Sequence, residues 1–198
     1  LYLSNVCINR CRYCGFNATH SGARRRLTVA EAVAEAEIIR AEGFRDLLLV
    51  AGEDPEHVTV PYLAELAQAL HGMFSSISIE IEPLDEAAYR RLVVAGIDGV
   101  TLYQETYDRN TYAEWHPAGP KADYEARLAR QEGAARAGMR RLGIGALLGL
   151  QDWRYEALAL AVHAQALMRT YWRSRVSVSF PRIRPAPDVM DDYPYRVQ

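Results

Sequence analysis

The 198-residue chain has only three cysteines, no excess of charge of either sign and no long hydrophobic run. A formal net charge of −2 argues against nucleic acid as the main partner. No stretch approaches the roughly 20 apolar residues of a membrane-spanning helix, so we expect no membrane partner. The opening residues Leu1–Asn5 lack the features of a signal peptide. An odd number of clustered cysteines is not a disulfide framework, which favours a reducing, cytoplasmic compartment.

Composition indicates one folded domain over residues 1–198. Hydrophobic residues make up 49% of the chain, which excludes a disordered protein. The densest basic run, Arg24-Arg25-Arg26, is interpreted as a solvated turn rather than a track for phosphates. The chain begins without Met and inside an apparent strand. We therefore expect an internal fragment of a longer protein, with N- and C-terminal parts missing.

Strand-like and helix-like segments alternate along the chain. The predicted strands are Leu1–Leu3, Asp46–Val50, Ser76–Ile81, Gly99–Tyr103, Leu142–Leu147 and Val176–Phe180. The predicted helices are Thr28–Glu42, Tyr62–Met73, Asp85–Ala95, Asp123–Ala137 and Asp152–Tyr171. This alternation is typical of parallel βα units, and six units favour an α/β barrel or partial barrel. Function then lies at the C-terminal ends of the strands.

The three cysteines follow the first predicted strand, as Cys7, Cys11 and Cys14 with the spacing C-x3-C-x2-C. A four-iron cluster normally takes four Cys ligands, so three leave one iron open to an external molecule. The alternative is a non-catalytic zinc-binding module with His20 as fourth ligand. No second paired motif supports zinc, and His20 lies in a Gly- and Ser-containing loop.

Acidic residues follow the second and third predicted strands. The small-Gly-acid turn at Gly52 and Glu53 lets the backbone approach a ligand closely, and Glu53 suits a cationic amino group. The alternative there is a simple turn into the next helix. Glu80 and Glu82 share one face of their strand, where burial is costly unless they are paired. The alternative is that one of them caps the next helix.

The fourth and fifth strand ends also carry candidate binding residues. The run Tyr103–Tyr107, which includes Gln104 and Glu105, suits a ribose or an amino acid, and the alternative is a polar loop with an aromatic plug. His116, which follows this run, is the His with the strongest claim to a role. Gly143 and Gly145 inside a strand indicate that another body lies flat against the backbone. An adenine ring is one candidate.

The sixth strand ends in Ser179, followed by Arg182 in a Pro-rich exit. Arginine receives a carboxylate through two parallel hydrogen bonds, so this end suits an acidic ligand group. The alternative is that Arg182 and Arg184 are surface charges.

Together these motifs resemble the radical S-adenosylmethionine (SAM) enzymes, and within them the 2-iminoacetate synthases, which are tyrosine lyases of thiamine biosynthesis. The resemblance runs nearly end to end. The segments that carry it are Leu1–Asn5, Cys11–Phe16, Leu47–Glu53, Gly99–Tyr107, Gly143–Leu150, Tyr171-Trp172 and Val176–Pro185.

The resemblance implies a TIM-type barrel, a [4Fe–4S] cluster and S-adenosyl-L-methionine. Cys7, Cys11 and Cys14 would ligate the cluster, and the methionine end of SAM would chelate the open iron. Tyr13 would contact the adenine of SAM, and Glu105 would bind its ribose. Gly52 and Glu53 would receive the SAM amino group, and Arg127 its carboxylate. Ser179 and Arg182 would bind the carboxylate of tyrosine. An eight-unit barrel would lack its last two strands here, leaving the Leu1 and Phe180 strand edges open.

The implied reaction begins with cleavage of SAM to methionine and a 5′-deoxyadenosyl radical. The radical takes hydrogen from the amino group of L-tyrosine, and the Cα–Cβ bond breaks to give 2-iminoacetate and p-cresol. A low-potential electron donor and a thiazole synthase would be partners. The enzyme alternatives are the tyrosine-cleaving hydrogenase maturase HydG, which needs a second, C-terminal cluster, and a tryptophan lyase.

Overall fold

The computed structural model describes residues 1–184 and 194–195, so Pro185 at the end of the last motif lies outside the described residues. Six strands are formed: β1 Tyr2–Ser4, β2 Asp46–Ala51, β3 Ser76–Glu80, β4 Gly99–Thr101, β5 Arg141–Gly145 and β6 Arg175–Ser179. The helices are α1 Val29–Ala41, α2 Val60–Ala69, α3 Glu86–Ala95, α4 Arg109–Trp115, α5 Tyr124–Ala137 and α6 Trp153–Thr170, with a 3-10 turn at Pro120–Ala122. Within these ranges no helix is both long and apolar enough to cross a membrane.

The six strands form one parallel sheet in chain order, which confirms the predicted α/β class. Parallel strands with helical crossovers place all their C-terminal ends at one edge of the sheet. The outer edge of β1 was expected to be open, but it is partly covered. Residues 25–27 fold back along it, with the Leu27 amide donating to the Leu3 carbonyl at 2.8 Å. Beside β6, Phe180 is 45% exposed.

The two faces of the sheet differ in chemistry. Alternate residues of β2 and β3, such as Leu49 and Ile79, are fully buried against the helices. The opposite face carries small or polar groups, including Ser78, Thr101 and Gly143. The side of the sheet away from the helices is therefore left for a cavity rather than for a packed hydrophobic core.

Side-chain caps set where the helices begin. At α1 the Thr28 hydroxyl accepts from the Glu31 amide, and the Glu31 carboxylate accepts from the Thr28 amide at 2.7 Å, which together form a capping box. Helix α2 begins two residues earlier than predicted because Thr59 is its N-cap. It ends at Ala69 rather than Met73. Helix α4 was not predicted, since seven residues carry too little periodicity to be recognised.

Two glycine substitutions test this packing. Gly99→Ala should destabilise the protein by about 1–3 kcal/mol, because an added Cβ would lie 2.2 Å from Ser78 Oγ. Gly133→Ala in α5 is the matched control, since its Cβ would meet nothing closer than 3.9 Å. It should stabilise by about 0.5–1 kcal/mol through helix propensity. Urea unfolding measures both changes, and a Gly99→Ala protein of wild-type stability would contradict this account.

Candidate active site

An open cavity of about 240 Å³ lies at the C-terminal ends of the strands. Concave sites of this kind are where small-molecule ligands bind. The groups that line it include Cys7, Asn9, Cys11, Tyr13, Cys14, Gly52, Glu53, Glu80, Tyr103, Glu105, Lys121 and Arg127. The three cysteines and most of the residues implied for SAM thus share one cavity.

The three cysteines come from an irregular loop, and their thiols are partly or fully shielded from solvent. Burial raises the pKa of Cys11 to about 11 and also raises the pKa of Cys14. Hydrogen bonds reach two sulfurs: Asn9 Nδ2 donates to Cys7 Sγ at 3.7 Å, and the Phe16 amide donates to Cys14 Sγ at 3.4 Å. Such donors favour thiolates, which are the form that binds metal.

The donor set fits a multi-iron cluster better than a single ion. Within residues 1–184 and 194–195, no three His, Cys, Asp or Glu side chains converge closely enough to hold one metal ion. Three soft sulfur ligands that line a cavity without meeting at a point suit a cluster, in which each thiolate binds its own iron. His20, the proposed zinc ligand, accepts a hydrogen bond from the Gly22 amide at 2.8 Å within its own loop. The geometry therefore does not favour the zinc alternative.

The Gly52–Glu53 turn packs directly against the cysteine loop. A Cβ on Gly52 would lie 2.2 Å from the Val6 carbonyl oxygen, so only glycine fits there. The Ile8 amide donates to the Glu53 carbonyl at 3.0 Å. The turn is thus in contact with the loop that carries the cysteines, as a shared binding site requires.

The next residue, Asp54, anchors this turn through Arg26. The Arg26 guanidinium donates to both Asp54 oxygens at 2.8 Å, and Ser4 Oγ donates to one of them at 2.9 Å. Arg26 therefore corrects the interpretation of the basic run as a solvated turn. It is a structural cross-link, because two charge-assisted bonds meet a buried carboxylate.

Four charged side chains line the same cavity as the cysteines: Glu53, Glu105 and Arg127, which are buried, and Lys121, which is partly buried. Lys121 Nζ donates to Glu105 Oε1 at 2.7 Å, while Arg127 lies 3.4 Å from Glu53 and 4.0 Å from Glu105. Burial alone would raise the pKa of Glu105, but Lys121 and Arg127 outweigh it and the pKa is lowered. Glu105 also has a left-handed backbone with φ of 71°, unusual for a residue with a side chain. Strain of this kind clusters at functional sites.

Glu80 and Glu82 do not cap helix α3, whose N-cap is Asp85. That alternative is therefore wrong. Glu80 lines the cavity, and burial raises its pKa. Burial likewise raises the pKa of Glu82 to about 7, helped by the nearby Glu53. Glu80 in the cavity wall, and Glu82 two residues further along the chain, are thus easier to protonate than exposed carboxyl groups.

Tyr13 is held by His116. The His116 Nδ1 lies 2.8 Å from the Tyr112 carbonyl, which can only accept, so Nδ1 carries the proton. The other ring nitrogen, Nε2, then accepts from the Tyr13 hydroxyl at 2.8 Å. Burial lowers the pKa of His116 to about 3, so the ring stays neutral. His116 therefore orients Tyr13 beside Cys11 and Cys14.

Two residues predicted to contact a ligand, Gln104 and Gly145, do not line the cavity. Gln104 points away from the cavity, is 3% exposed, and donates to the Tyr124 carbonyl at 3.4 Å. The segment after β4 still pairs with β5, since the Gln104 amide donates to the Gly145 carbonyl at 3.1 Å, and it is the neighbours Tyr103 and Glu105 that line the cavity. At Gly145 the body against the backbone is the Tyr103 ring, 2.6 Å from where a Cβ would lie. The space predicted for adenine is filled by the protein itself.

The expected carboxylate receptor lies at the end of β6. The Ser179 side chain lies next to the Tyr103 hydroxyl, and Tyr103 lines the cavity. Arg182 is exposed and pairs with Leu148 beyond the strand. Ser179 is therefore linked to the site through Tyr103, while Arg182 lies outside the cavity wall.

Lys121 and Asn9 belong to the site but to none of the sequence motifs. Lys121 lies in a Gly-Pro-Lys turn with no motif around it, and Asn9 is an unassigned position between two cysteines. The structure joins them, since the Lys121 amide donates to Asn9 Oδ1 at 2.8 Å. Only the spacing between cysteines could have drawn attention to Asn9.

Comparisons with known proteins agree with this geometry. The model of the Radical SAM superfamily matches residues 1–161. The chain is 45% identical to 2-iminoacetate synthase of Escherichia coli (strain K12) over 93% of its length. It covers 49% of that relative, so it spans about half the length of the curated relatives it matches.

Two solved structures share the fold throughout. HydG, a maturase of the [FeFe]-hydrogenase, superposes with a TM-score of 0.94 at 36% identity, covering all of this chain and 46% of HydG. HydG from Carboxydothermus hydrogenoformans superposes with a TM-score of 0.93 at 40% identity, again over all of this chain and 47% of that protein. These likenesses confirm the expected TIM-type architecture.

His116 should make the stability of the protein depend on pH. Its folded pKa of about 3 lies below the ordinary 6.5, so the unfolded chain binds a proton that the folded chain does not. Stability from this residue is present above pH 6.5 and falls as pH drops toward 3, by at most about 1.4 kcal/mol per pH unit. His116→Gln should flatten that slope. Urea unfolding between pH 4.5 and 7 measures it, and equal slopes in both proteins would contradict the assignment.

Proposed function

The chain belongs to the radical SAM superfamily, and from that premise we propose that it is the core of a 2-iminoacetate synthase. The proposed reaction cleaves the Cα–Cβ bond of L-tyrosine to 2-iminoacetate and p-cresol, for the thiazole part of thiamine. One observation carries it: Cys7, Cys11 and Cys14 share a cavity with Glu105 and Arg127. The relatives that support the tyrosine assignment are the curated 2-iminoacetate synthases.

Cys7, Cys11 and Cys14 would hold the [4Fe–4S] cluster and leave one iron for the amino and carboxylate groups of SAM. Gly52 keeps the adjoining turn close enough for its carbonyls and Glu53 to receive the amino group. When bound and reduced, the cluster would supply the electron that cleaves SAM into methionine and a 5′-deoxyadenosyl radical.

The remaining residues orient SAM. Tyr13, fixed by His116, offers a ring for the adenine. Glu105 is ionised and buried, so its carboxylate can accept hydrogen bonds from both ribose hydroxyls. Arg127 donates to the Tyr103 carbonyl at 2.8 Å and keeps other N–H groups for a carboxylate. Preformed charges of this kind need little rearrangement when the ligand binds.

Tyrosine would lie on the side of the cavity formed by β4–β6. Ser179 and Arg182 would receive its carboxylate. Ser179 lies next to Tyr103 of the cavity wall, whereas the Arg182 side chain, exposed outside that wall, would turn inward when tyrosine binds. The protein must hold the substrate in contact with the radical and exclude water, which a closed barrel does well. The proposed partners are a low-potential electron donor and a thiazole synthase, in the cytoplasm.

A HydG-like tyrosine lyase is the second candidate. The observation that favours it is the TM-score of 0.94 to HydG. The higher identity, 45%, is to 2-iminoacetate synthase, and we take that as the main assignment. Both candidates share tyrosine cleavage, so the first experiment tests what they have in common.

The test is anaerobic reconstitution of the full-length protein, followed by incubation with dithionite, SAM and tyrosine. We expect 5′-deoxyadenosine, p-cresol and glyoxylate, the last from hydrolysed 2-iminoacetate. Formation of carbon monoxide and cyanide would instead favour the HydG-like candidate. Deoxyadenosine formation that does not depend on tyrosine, and that rises with tryptophan, would refute the substrate assignment.

Arg182 should control tyrosine binding. Arg182→Lys keeps the charge but loses the paired hydrogen bonds to a carboxylate, so the KM for tyrosine should rise by about tenfold to a hundredfold. Arg184→Lys, in the same exit segment, is the matched control and should behave as wild type. Initial rates of p-cresol formation give both values. An unchanged KM in Arg182→Lys would show that Arg182 is a surface charge.

A further inference from the structure

Arg24 makes an unusual set of hydrogen bonds for an exposed side chain. Its guanidinium donates to four backbone carbonyls: those of Asn5 at 2.6 Å, Phe16 at 3.0 Å, Asn17 at 2.6 Å and His20 at 3.0 Å. We call this arrangement the Arg24 clamp. In the sequence, Arg24 belongs only to the basic run Arg24-Arg25-Arg26, and no motif gives it a role.

The four carbonyls share one property, which is their place around the cysteines. Asn5 precedes Cys7 by two residues, and Phe16 follows Cys14 by two. Residues 5–25 form neither helix nor strand, so no ladder of backbone bonds holds this segment. The Arg24 clamp ties the entrance of the cysteine loop to its exit.

The base of the clamp is itself fixed. Asn5 Nδ2 donates to the Ala23 carbonyl at 2.9 Å, and the Arg25 amide donates to Asn5 Oδ1 at 2.6 Å. The Arg25 carbonyl also accepts from the Asn5 amide at 3.2 Å. Arg24 is therefore presented from a short stretch of chain bonded to Asn5, and its side chain reaches across to the far end of the loop.

Arginine suits this position for a geometric reason. Its planar guanidinium offers five N–H donors in a fixed fork, so two nitrogens can each serve two carbonyls. A lysine ammonium carries three donors on one atom and cannot span the same four oxygens. Hydrogen bonds from a charged donor are also stronger than neutral ones.

We propose that Arg24 is a positioning residue for the cluster, holding Cys7 and Cys14 at the spacing that three irons require. The proposal rests on the proposed function, because it presumes a cluster at these cysteines. Arg24 does not itself line the cavity, and its four bonds reach Phe16 and other residues around the cysteines rather than the cysteines themselves. It acts by closing the loop, much as a cross-link shortens the reach of a chain.

The experiment uses full-length wild type, Arg24→Gln, Arg24→Lys and Arg25→Gln. Arg25 is the matched control, because its side chain is exposed and pairs with Glu35 at 3.3 Å rather than with the loop. After anaerobic reconstitution, iron and sulfide per chain are measured, and then the rate of iron loss to a chelator. Circular dichroism of the apo proteins reports folding, and electron paramagnetic resonance reports the change caused by SAM.

We expect Arg24→Gln to fold but to lose iron at least threefold faster than wild type, and to need more SAM for the spectral change. Arg24→Lys should be intermediate, and Arg25→Gln should match wild type. Wild-type iron retention in either Arg24 variant would overturn the proposal, and if Arg24→Gln fails to fold, Arg24→Lys decides. A wild-type protein that binds no cluster would instead refute the proposed function.

Discussion

The site depends on one physical constraint, which is that an irregular loop must hold three sulfurs in fixed positions. No helix or strand supports residues 5–25, so the loop takes its shape from bonds to its neighbours. The Ile8 backbone amide donates to the Glu53 carbonyl of the Gly52–Glu53 turn, and the Arg10 backbone amide donates to the Ala118 carbonyl at 3.0 Å. The parallel sheet makes these contacts possible, since it brings the ends of β1, β2 and the segment after α4 to one edge.

Charge balance is the second consequence of this arrangement. The cavity places carboxylates beside thiols, which become negatively charged thiolates when they bind metal. So many negative charges close together in a buried site are unfavourable unless cations lie among them. Lys121 and Arg127 supply them, and both are almost fully buried in the same cavity. Removing one partner of a buried ion pair costs about 3–5 kcal/mol, because the other charge is left uncompensated. The cavity therefore offers both cationic and anionic groups to a ligand that carries charges of both signs.

The fold was predictable because its signals are local. Buried apolar runs, capping residues such as Thr28 and glycines after helices mark βα units without knowledge of the tertiary structure. The cysteine spacing and the Gly52 turn are also local. Contacts between distant segments were not predictable: Lys121 reaches Glu105 and Asn9 only in the folded chain, and Arg24 looked like part of a solvated run. The predicted ligand contact of Gln104 could not be judged because the sequence pattern does not show which side chains face the cavity. At Gly145 the sequence does not show that the Tyr103 ring packs against the glycine.

The measurement that tests the central claim most directly is Mössbauer spectroscopy of the full-length protein, reconstituted with ⁵⁷Fe and titrated with SAM. This account predicts about four irons per chain, one of which changes its signal when SAM binds while three do not, since only three Cys are available in the loop. A protein that binds about one zinc ion instead, or a four-iron cluster in which no iron responds to SAM, would contradict it.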